Sequence, residues 1–307
     1  MSRESPPTRR TVALLDAVVR RPGHDHSLAE LAKETGISKA TALGILNELH
    51  TGGWLTRDPT TKTYRPGAAM LAAGTAADEG FAAVHATRPL MAALSREVDA
   101  VCTASAVIDG HVTVLARTEP NGRGTPAFRV GQRYPFAPPS GVMFVAWDDD
   151  RTVDRWLDEK PLAPLTVNKA ELRAVVASCR ARGHLVVGLG ESDAGLWSLL
   201  SELPDDAVSA QLGVLLQQRM PGGLQPYLVD SIDPRKRYDV SLVCAPVFDR
   251  SAHMAFLLAV ILMRPGVSGR VLRTVTSALL QTAATATETI GGRNPVVRGQ
   301  LRRVTHQ

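Results

Sequence analysis

The stretch from Ser27 to Gly67 constrains the fold more than any other part of the chain. Ser27 and Glu30 have the spacing of a capping box, which predicts that a helix begins directly after Ser27. Gly36 predicts the turn that ends this helix, and Ser38 is placed to cap a second helix. Two short helices joined by a tight turn predict a helix-turn-helix.

A β-hairpin is predicted to follow the second helix. Apolar residues recur at helical spacing in that helix and should pack back on the first one. These residues are Ile37, Leu43, Leu46 and Leu49. Gly52 and Gly53 then end the helix. Residues 54–57 and 62–65 form two β arms around a turn at 58–61. A helix-turn-helix that is followed by such a hairpin is a winged helix.

Winged helices that bind DNA insert their second helix into the major groove and place the wing on the phosphates. We therefore expect the exposed side of the second helix and the basic wing to form the DNA-binding surface. The candidate residues are Ser38, Lys39, Thr41, Ala42 and Asn47 on the helix and Arg57, Lys62 and Arg65 on the wing. Some winged helices contact proteins instead, but the basic residues of the wing favour DNA.

The length of the chain requires a second domain, because a winged helix needs only about 70 residues and the chain has 307. The net charge of +5 fits a polyanionic partner but is too small to identify one. The chain begins with a polar segment, and its apolar runs are shorter than a membrane span. The expected location is therefore the cytoplasm, with no membrane partner.

Neither the cysteines nor the histidines indicate a metal or cofactor site. Cys102, Cys179 and Cys244 are far apart and lie in apolar segments. We therefore expect three buried free thiols, as in a reducing compartment. His24 and His26 have no third ligand near them in the sequence and are interpreted as ordinary loop residues. No cofactor is expected.

Helices are predicted on both sides of the winged-helix stretch. The first follows Arg10, and its core-facing residues are expected to be Val12, Leu14, Leu15, Val18 and Val19. An alanine-rich connector follows Gly67, with interruptions expected near Gly74, Gly80 and Pro89. Its apolar surplus suggests contact with a second copy of the chain, although a simple inter-domain helix has a similar composition.

The rest of the chain mixes strands and helices without βαβ regularity, which predicts an α+β domain on an antiparallel sheet. Strands are predicted over 102–108, 111–118, 126–131, 184–190, 240–248 and 253–263. The first two strands are joined by Asp109-Gly110, a strong hairpin signal. Helices are predicted from about 140 and over 150–158, 169–181, 195–203, 206–219 and 269–290.

Four motifs in this order resemble the IclR family of bacterial transcription regulators. They are RPG at 65–67, VGQRYPFAPPSG at 130–141, RARGH at 180–184 and CAPVFDRSAH at 244–253. The resemblance implies a dimer or tetramer with a GAF-like effector domain, whose small-molecule ligand alters operator binding, with repression as the expected direction. Two-fold symmetry implies a pseudo-palindromic operator. The implied domains are 8–67 (winged helix-turn-helix), 68–80 (linker helix), 81–292 (effector domain) and 293–307 (basic tail).

Three features depart from the family pattern. The family usually has an arginine three positions after its Ser-Thr pair in the recognition helix, where this chain has Gly44 after Ala40-Thr41. This departure puts DNA affinity or the usual register in doubt. The span from Gly183 to Pro246 is also longer than expected. Finally, the penultimate strand is apolar where family members that sense small carboxylates offer polar side chains.

The apolar penultimate strand favours an apolar effector. Neighbouring residues of a strand face opposite sides of the sheet, so either the odd-numbered or the even-numbered residues of 256–261 can face a pocket. The predicted effector-binding residues are Phe256, Leu258 and Val260, with Arg129, Arg133, Ser140 and Ser241 on neighbouring segments. A carboxylate would lose its hydration in such a site, whereas an aromatic or aliphatic ligand gains from burial. The alternative is that both faces of the strand are core.

Two other classes of function are compatible with parts of the sequence. Ser192 lies in a sequence near the G-x-S-x-G nucleophile elbow, and Asp230 and His253 follow in hydrolase order, but the second glycine and an oxyanion-hole loop are missing. A regulator that has lost DNA binding and acts through protein contacts is the other alternative, motivated by Gly44.

Overall fold

The computed structural model describes residues 5–21, 23–120, 128–161, 168–189, 228–229 and 231–295. The chain divides into two compact units, Met1–Ala82 and Ala83–Gln307. Each unit has its own hydrophobic core. The predicted finer domain boundaries stay a prediction.

The first unit consists of helices and one short hairpin. Its elements are α1 (Pro6–Arg20), α2 (Leu28–Thr35), α3 (Lys39–Thr51), β1 (Leu55–Arg57), β2 (Tyr64–Pro66) and α4 (Ala68–Gly80). The capping box is present, because the Ser27 side chain accepts from the Glu30 amide and the Glu30 carboxylate accepts from the Ser27 amide. Gly36 ends α2 with a φ of 67°, and the Ser38 side chain caps α3. The predicted helix-turn-helix is confirmed.

In two helices of this unit, some of the residues that face the core differ from those we predicted. In α3 the buried side chains are Ala42, Leu46 and Leu49, whereas Leu43 is 37% exposed. In α1 the buried residues are Leu14, Ala17 and Val18. Val12 and Val19, which we predicted to face the core, are 50% and 48% exposed.

The predicted wing is present but its strands are shorter. β1 pairs antiparallel with β2 in the register Leu55↔Pro66, Thr56↔Arg65 and Arg57↔Tyr64. Residues 58–63 form the connecting loop. The Asp58 carboxylate accepts from the amides of Thr60 and Thr61, each at 2.8 Å, which shapes the turn.

The second unit is an α+β domain, as predicted. Its elements are α5 (Ala82–Val98), β3 (Val101–Ile108), β4 (His111–Thr118), β5 (Arg133–Pro135), α6 (Val142–Val145), α7 (Asp150–Asp158), α8 (Lys169–Arg182), β6 (Leu185–Gly188), β7 (Arg237–Phe248), β8 (Met254–Ser268) and α9 (Gly269–Thr289). The strands form one sheet in the order β5-β4-β3-β8-β7-β6. All neighbouring pairs are antiparallel.

Helices cover both faces of the sheet, and each face has its own core. We call one side the α5/α9 face, because it packs Met91 and Leu94 of α5 and Leu272 and Leu279 of α9 against the strands. We call the other side the α6–α8 face. There, apolar residues of the three short helices pack on the strands, with Trp156 nearly fully buried.

Most of the predicted elements agree with the structure, and three differ. The described part of the strand predicted at 126–131, residues 128–131, is not a strand, because Phe128 and Gly131 have φ values of 61° and 82° and turn the chain. The strand of this region is β5, which begins at Arg133. Helix α4 continues through Gly74 and ends before Phe81, and α5 continues through Pro89. The three cysteines are buried and free, as predicted. The predicted helices at 195–203 and 206–219 lie outside the described residues.

Candidate nucleic-acid interface and effector face

The recognition helix α3 presents one exposed side. Lys39, Leu43 and Asn47 follow one another at intervals of four residues, so they lie along the same side of the helix, and all three are exposed. Ala42 was predicted to be exposed and is fully buried against α1 and α2, so it cannot contact DNA. The Ser38 hydroxyl bonds to the Thr41 amide at 3.2 Å and to the Thr41 hydroxyl at 2.9 Å, so both side chains are used in capping.

A cleft between α3 and the wing brings three of the predicted basic residues together. It has a volume of about 270 Å³. Its lining residues are Ser27, Leu28, Ala29, Lys39, Leu43, Arg57, Thr61, Lys62 and Tyr64. Lys39 comes from the helix, whereas Arg57 and Lys62 come from the wing. Three cations around one cleft create a positive potential that suits a phosphate backbone.

The wing holds its cations by local contacts. The Arg57 guanidinium lies 5.7 Å from the centroid of the buried Tyr64 ring. Lys62 has a φ of 60° and donates from Nζ to the Pro59 carbonyl at 2.6 Å. Hydrogen bonds from the Thr61 and Thr60 amides lower the pKa of Asp58, so this turn carboxylate stays charged beside the cleft.

Arg65 has a different environment from the other wing cations. It forms an ion pair with Asp25, in which Nη2 donates to Oδ2 at 2.8 Å. The hydrogen bond between the two lowers the pKa of Asp25 and raises that of Arg65. Arg65 is not among the residues that line the cleft. Its charge is therefore partly compensated within the protein.

His26 is not the ordinary loop residue that the sequence indicated. Its side chain is fully buried, and its backbone exchanges two hydrogen bonds with Tyr64, at 3.1 and 2.8 Å. Burial lowers the pKa of His26. His26 thus fastens the wing to the helix-turn-helix. Within the described residues, no group of three metal-ligating side chains is present.

The predicted effector residues on β8 face the α5/α9 side of the sheet. Phe256, Leu258 and Val260 are at most 1% exposed and belong to the α5/α9 face. Helices α5 and α9 pack over these three side chains, and their assignment as effector-binding residues stays a prediction. The alternate residues Leu257, Ala259 and Ile261 pack on the α6–α8 face instead.

The four polar effector candidates are not gathered in one place. Arg133 lies on β5, next to Tyr134, and its Nη2 is 2.8 Å from His111 Nδ1. Ser241 lies on β7 and donates to the Met263 sulfur at 3.4 Å. Three strands separate β5 from β7 in the sheet. Ser140 is half-buried before α6, and the Arg129 amide donates to the Gln132 side chain at 3.1 Å.

The structure instead brings two buried hydroxyls next to the alternate residues of β8. Thr103 pairs with Ala259, and Ser105 pairs with Leu257. The two hydroxyl residues are 2% and 9% exposed, respectively. The sequence signal was available, because Thr103 and Ser105 alternate with alanines in the segment CTASAVI, which is the pattern of a strand with one polar face.

Comparisons with known proteins bear on the helix-turn-helix and on the overall fold. The family model of the IclR helix-turn-helix domain matches residues 7–59. The resemblance to IclR regulators is confirmed. An IclR transcriptional regulator from Alicyclobacillus acidocaldarius has 18% identity and a TM-score of 0.59, covering 94% of this chain and 100% of its own. The Thermotoga maritima IclR has 16% identity and a TM-score of 0.59, covering 92% and 98% of the two chains.

A third similar structure contains a ligand. It is an IclR homolog from Microbacterium hydrocarbonoxydans in complex with 4-hydroxybenzoate, with 15% identity and a TM-score of 0.58, and the match covers 92% of this chain and 98% of that one. No curated protein sequence matches the chain. At these identities the solved structures establish the fold, and the helix-turn-helix match establishes the type of DNA-binding domain.

The chain thus carries an IclR helix-turn-helix over residues 7–59, and solved structures that share its fold are described as transcriptional regulators. Ser192 and Asp230 of the hydrolase alternative lie outside the described residues. None of the helices in the described part of the chain is both long enough and apolar enough to span a membrane.

Proposed function

We propose that this IclR-type regulator binds operator DNA through α3 and the wing, and that a small apolar effector controls this binding. The observation that carries the proposal is the cleft lined by Lys39 and Arg57, which lie within the matched helix-turn-helix domain, and by Lys62, which follows it on the wing. Ser38, Thr41 and Asn47 are assigned to positions on the helix that face the groove or the adjoining phosphates.

The salt dependence of binding tests the role of the wing. Each phosphate contact that is removed lowers the slope of log K against log salt by about one unit. We expect the variant with Arg57, Lys62 and Arg65 all changed to Ala to lose about two units, because the Asp25 partner already compensates Arg65. Arg151→Ala, at an exposed position in α7, is the matched control. An unchanged slope in the triple variant would remove the wing from the interface.

We also propose that the chain acts as a homodimer or tetramer through its first unit. Helix α4 has 13 residues and no buried side chain, and Leu71 is 76% exposed. An isolated helix of this length is marginal in water, so contact with a second copy supplies the missing burial. Val12 and Val19 on α1 are further exposed apolar side chains of the first unit. The operator is then pseudo-palindromic.

Light scattering tests the oligomeric state. The wild type is expected to be at least a dimer at micromolar concentration, and Leu71→Asp is expected to weaken the assembly. Arg151→Asp changes an exposed residue of the second unit and serves as the control. A wild-type chain that remains monomeric at this concentration rules out the dimer.

The effector is proposed to bind the α6–α8 face of the sheet. Leu257, Ala259 and Ile261 offer apolar contacts, and the Thr103 and Ser105 hydroxyls are placed to bond one polar group. Each buried Å² of apolar ligand surface contributes roughly 25 cal/mol to binding. Burial of a polar group without compensating hydrogen bonds costs about 2–7 kcal/mol, and burial of a charged carboxylate costs more. The ligand of the structurally similar Microbacterium hydrocarbonoxydans protein, 4-hydroxybenzoate, combines an aromatic ring with a carboxylate, so it supports an aromatic ligand but not the exclusion of a carboxylate.

Thermal-shift measurements with matched ligands test the effector class. Aromatic and aliphatic compounds are expected to raise the unfolding temperature more than pyruvate-like carboxylates do. Stabilisation by small carboxylates alone would show that the ligand class is wrong. The regulatory direction is proposed to be repression, so deletion of the gene should raise transcription of the genes next to the operator.

Gly44 is the observation that favours a second function. Gly44 stands where the family usually has an arginine, and a regulator with weakened DNA binding would act through protein contacts instead. A gel shift with DNA from upstream of its own gene separates the two functions. A sequence-specific shift supports the operator-binding function. Failure to shift any duplex at low salt supports the protein-contact function.

A further inference from the structure

Leu43 is an apolar side chain on a surface that is otherwise built for a polyanion. It is 37% exposed on α3, and it lines the cleft together with Lys39, Arg57 and Lys62. The helix does not need it for packing, because Ala42, Leu46 and Leu49 are the residues that α3 buries. Leu43 is therefore available to contact a partner that enters the cleft.

The chemistry of the major groove offers one apolar partner to such a side chain. The base edges there present hydrogen-bond donors and acceptors, and the methyl group of thymine is their one apolar feature. The cations around Leu43 are suited to phosphates, and contacts to phosphates fix the helix relative to the groove without reading sequence. A leucine between them can discriminate between bases only through methyl contact.

The neighbouring residue allows close approach of this part of the helix to the bases. Gly44 is exposed, and a Cβ atom added to it would meet no other atom within 4 Å. The next exposed turn carries Asn47, whose side chain is suited to adenine. The side of α3 that bears Leu43 thus combines apolar and amide groups and lacks an arginine for guanine.

We propose that Leu43 is a specificity-determining residue that reads the C5 methyl group of thymine in each operator half-site. This inference rests on the proposed DNA-binding function and adds to it a base preference and the residue that sets it. Burial of one methyl group corresponds to about a fourfold change in affinity. The preference is therefore visible at a single position of the site.

Substitution of uracil for thymine tests the proposal, because uracil lacks the methyl group and keeps the same hydrogen bonds. Duplexes bound by the full chain are first selected from a random library, and each thymine of the selected half-site is then replaced by uracil in turn. The wild type is expected to lose about fourfold in affinity at one position. Leu43→Ala is expected to bind thymine and uracil equally there, while Leu43→Met retains a preference.

The controls separate this proposal from DNA binding itself. Val271→Ala changes an exposed apolar residue of α9 and should keep the fourfold effect. Three outcomes overturn the role of Leu43 while DNA binding stands. They are uracil that is tolerated at every position, a selected site that contains no thymine, and a Leu43→Ala chain that loses as much affinity as the wild type when uracil replaces thymine. A chain that selects no duplex at all overturns the proposed function as well. DNA affinity that is unchanged in Leu43→Ala on every sequence would point to a protein partner for Leu43.

Discussion

The substitution Gly44→Ala tests the description of α3 most simply. Gly44 lies in the interior of a helix of 13 residues and is exposed. A Cβ atom added there meets nothing within 4 Å, so neither new contacts nor clashes enter the balance. What remains is the intrinsic helix propensity, which favours alanine over glycine by about 0.8–1.0 kcal/mol. The first unit should become more stable by this amount.

Thermal unfolding of the full chain measures the effect. A gain of about 1 kcal/mol raises the midpoint by roughly 4–8 °C for a domain of 60–100 residues. Leu46→Ala, which removes a fully buried side chain of the same helix, identifies the transition of the first unit by lowering its midpoint. Gly67→Ala is the opposite control, because its Cβ would overlap the Gly53 carbonyl oxygen. A midpoint that stays unchanged or falls in Gly44→Ala would refute the interior helical position of Gly44.

Two further predictions concern stability. Burial lowers the pKa of His26 below its ordinary value, so the folded unit binds a proton less readily than the unfolded chain. The contribution of His26 is then full above pH of about 6.5 and falls as the pH decreases below it, by up to about 1.4 kcal/mol per pH unit. Burial also lowers the pKa of His184, so denaturant titrations should show a smaller fall in His26→Gln than in the wild type. Phe256→Ala should cost about 3–5 kcal/mol because the ring is 1% exposed. Effector preference in the thermal-shift assay should nevertheless stay the same, and a changed preference would return Phe256 to the effector site.

Local signals in the sequence predicted the elements better than they predicted the faces of those elements. The capping box at Ser27 and the cap at Ser38 depend on residues three positions apart, so they can be read directly from the chain. The side of α3 that faces the core cannot be read from the sequence in this way, because Leu43 and Ala42 both fit a helical period. Packing against α1 and α2 decided in favour of the smaller Ala42.

The same limit applies to the sheet. Alternation along β8 gave two possible sets of residues, but it could not tell which face α5 and α9 would cover. The long-range pairing of β8 with β3, which adds Thr103 and Ser105 to the opposite face, is also invisible in a local pattern. The incorrect strand at 128–131 has a local cause, because Phe128 adopts a positive φ that is unusual for an aromatic residue.

The central claim is that α3 lies in the major groove of operator DNA, and a cross-link from the helix to the bases tests it most directly. The native cysteines are all buried, so a cysteine introduced at the exposed Ala40 can be labelled selectively with a photoreactive group. The labelled Ala40→Cys chain is expected to cross-link to bases within the selected site, whereas the labelled Arg151→Cys chain is not. If Ala40→Cys still binds the duplex but attaches to no base, or if Arg151→Cys attaches equally well, α3 is not in the groove.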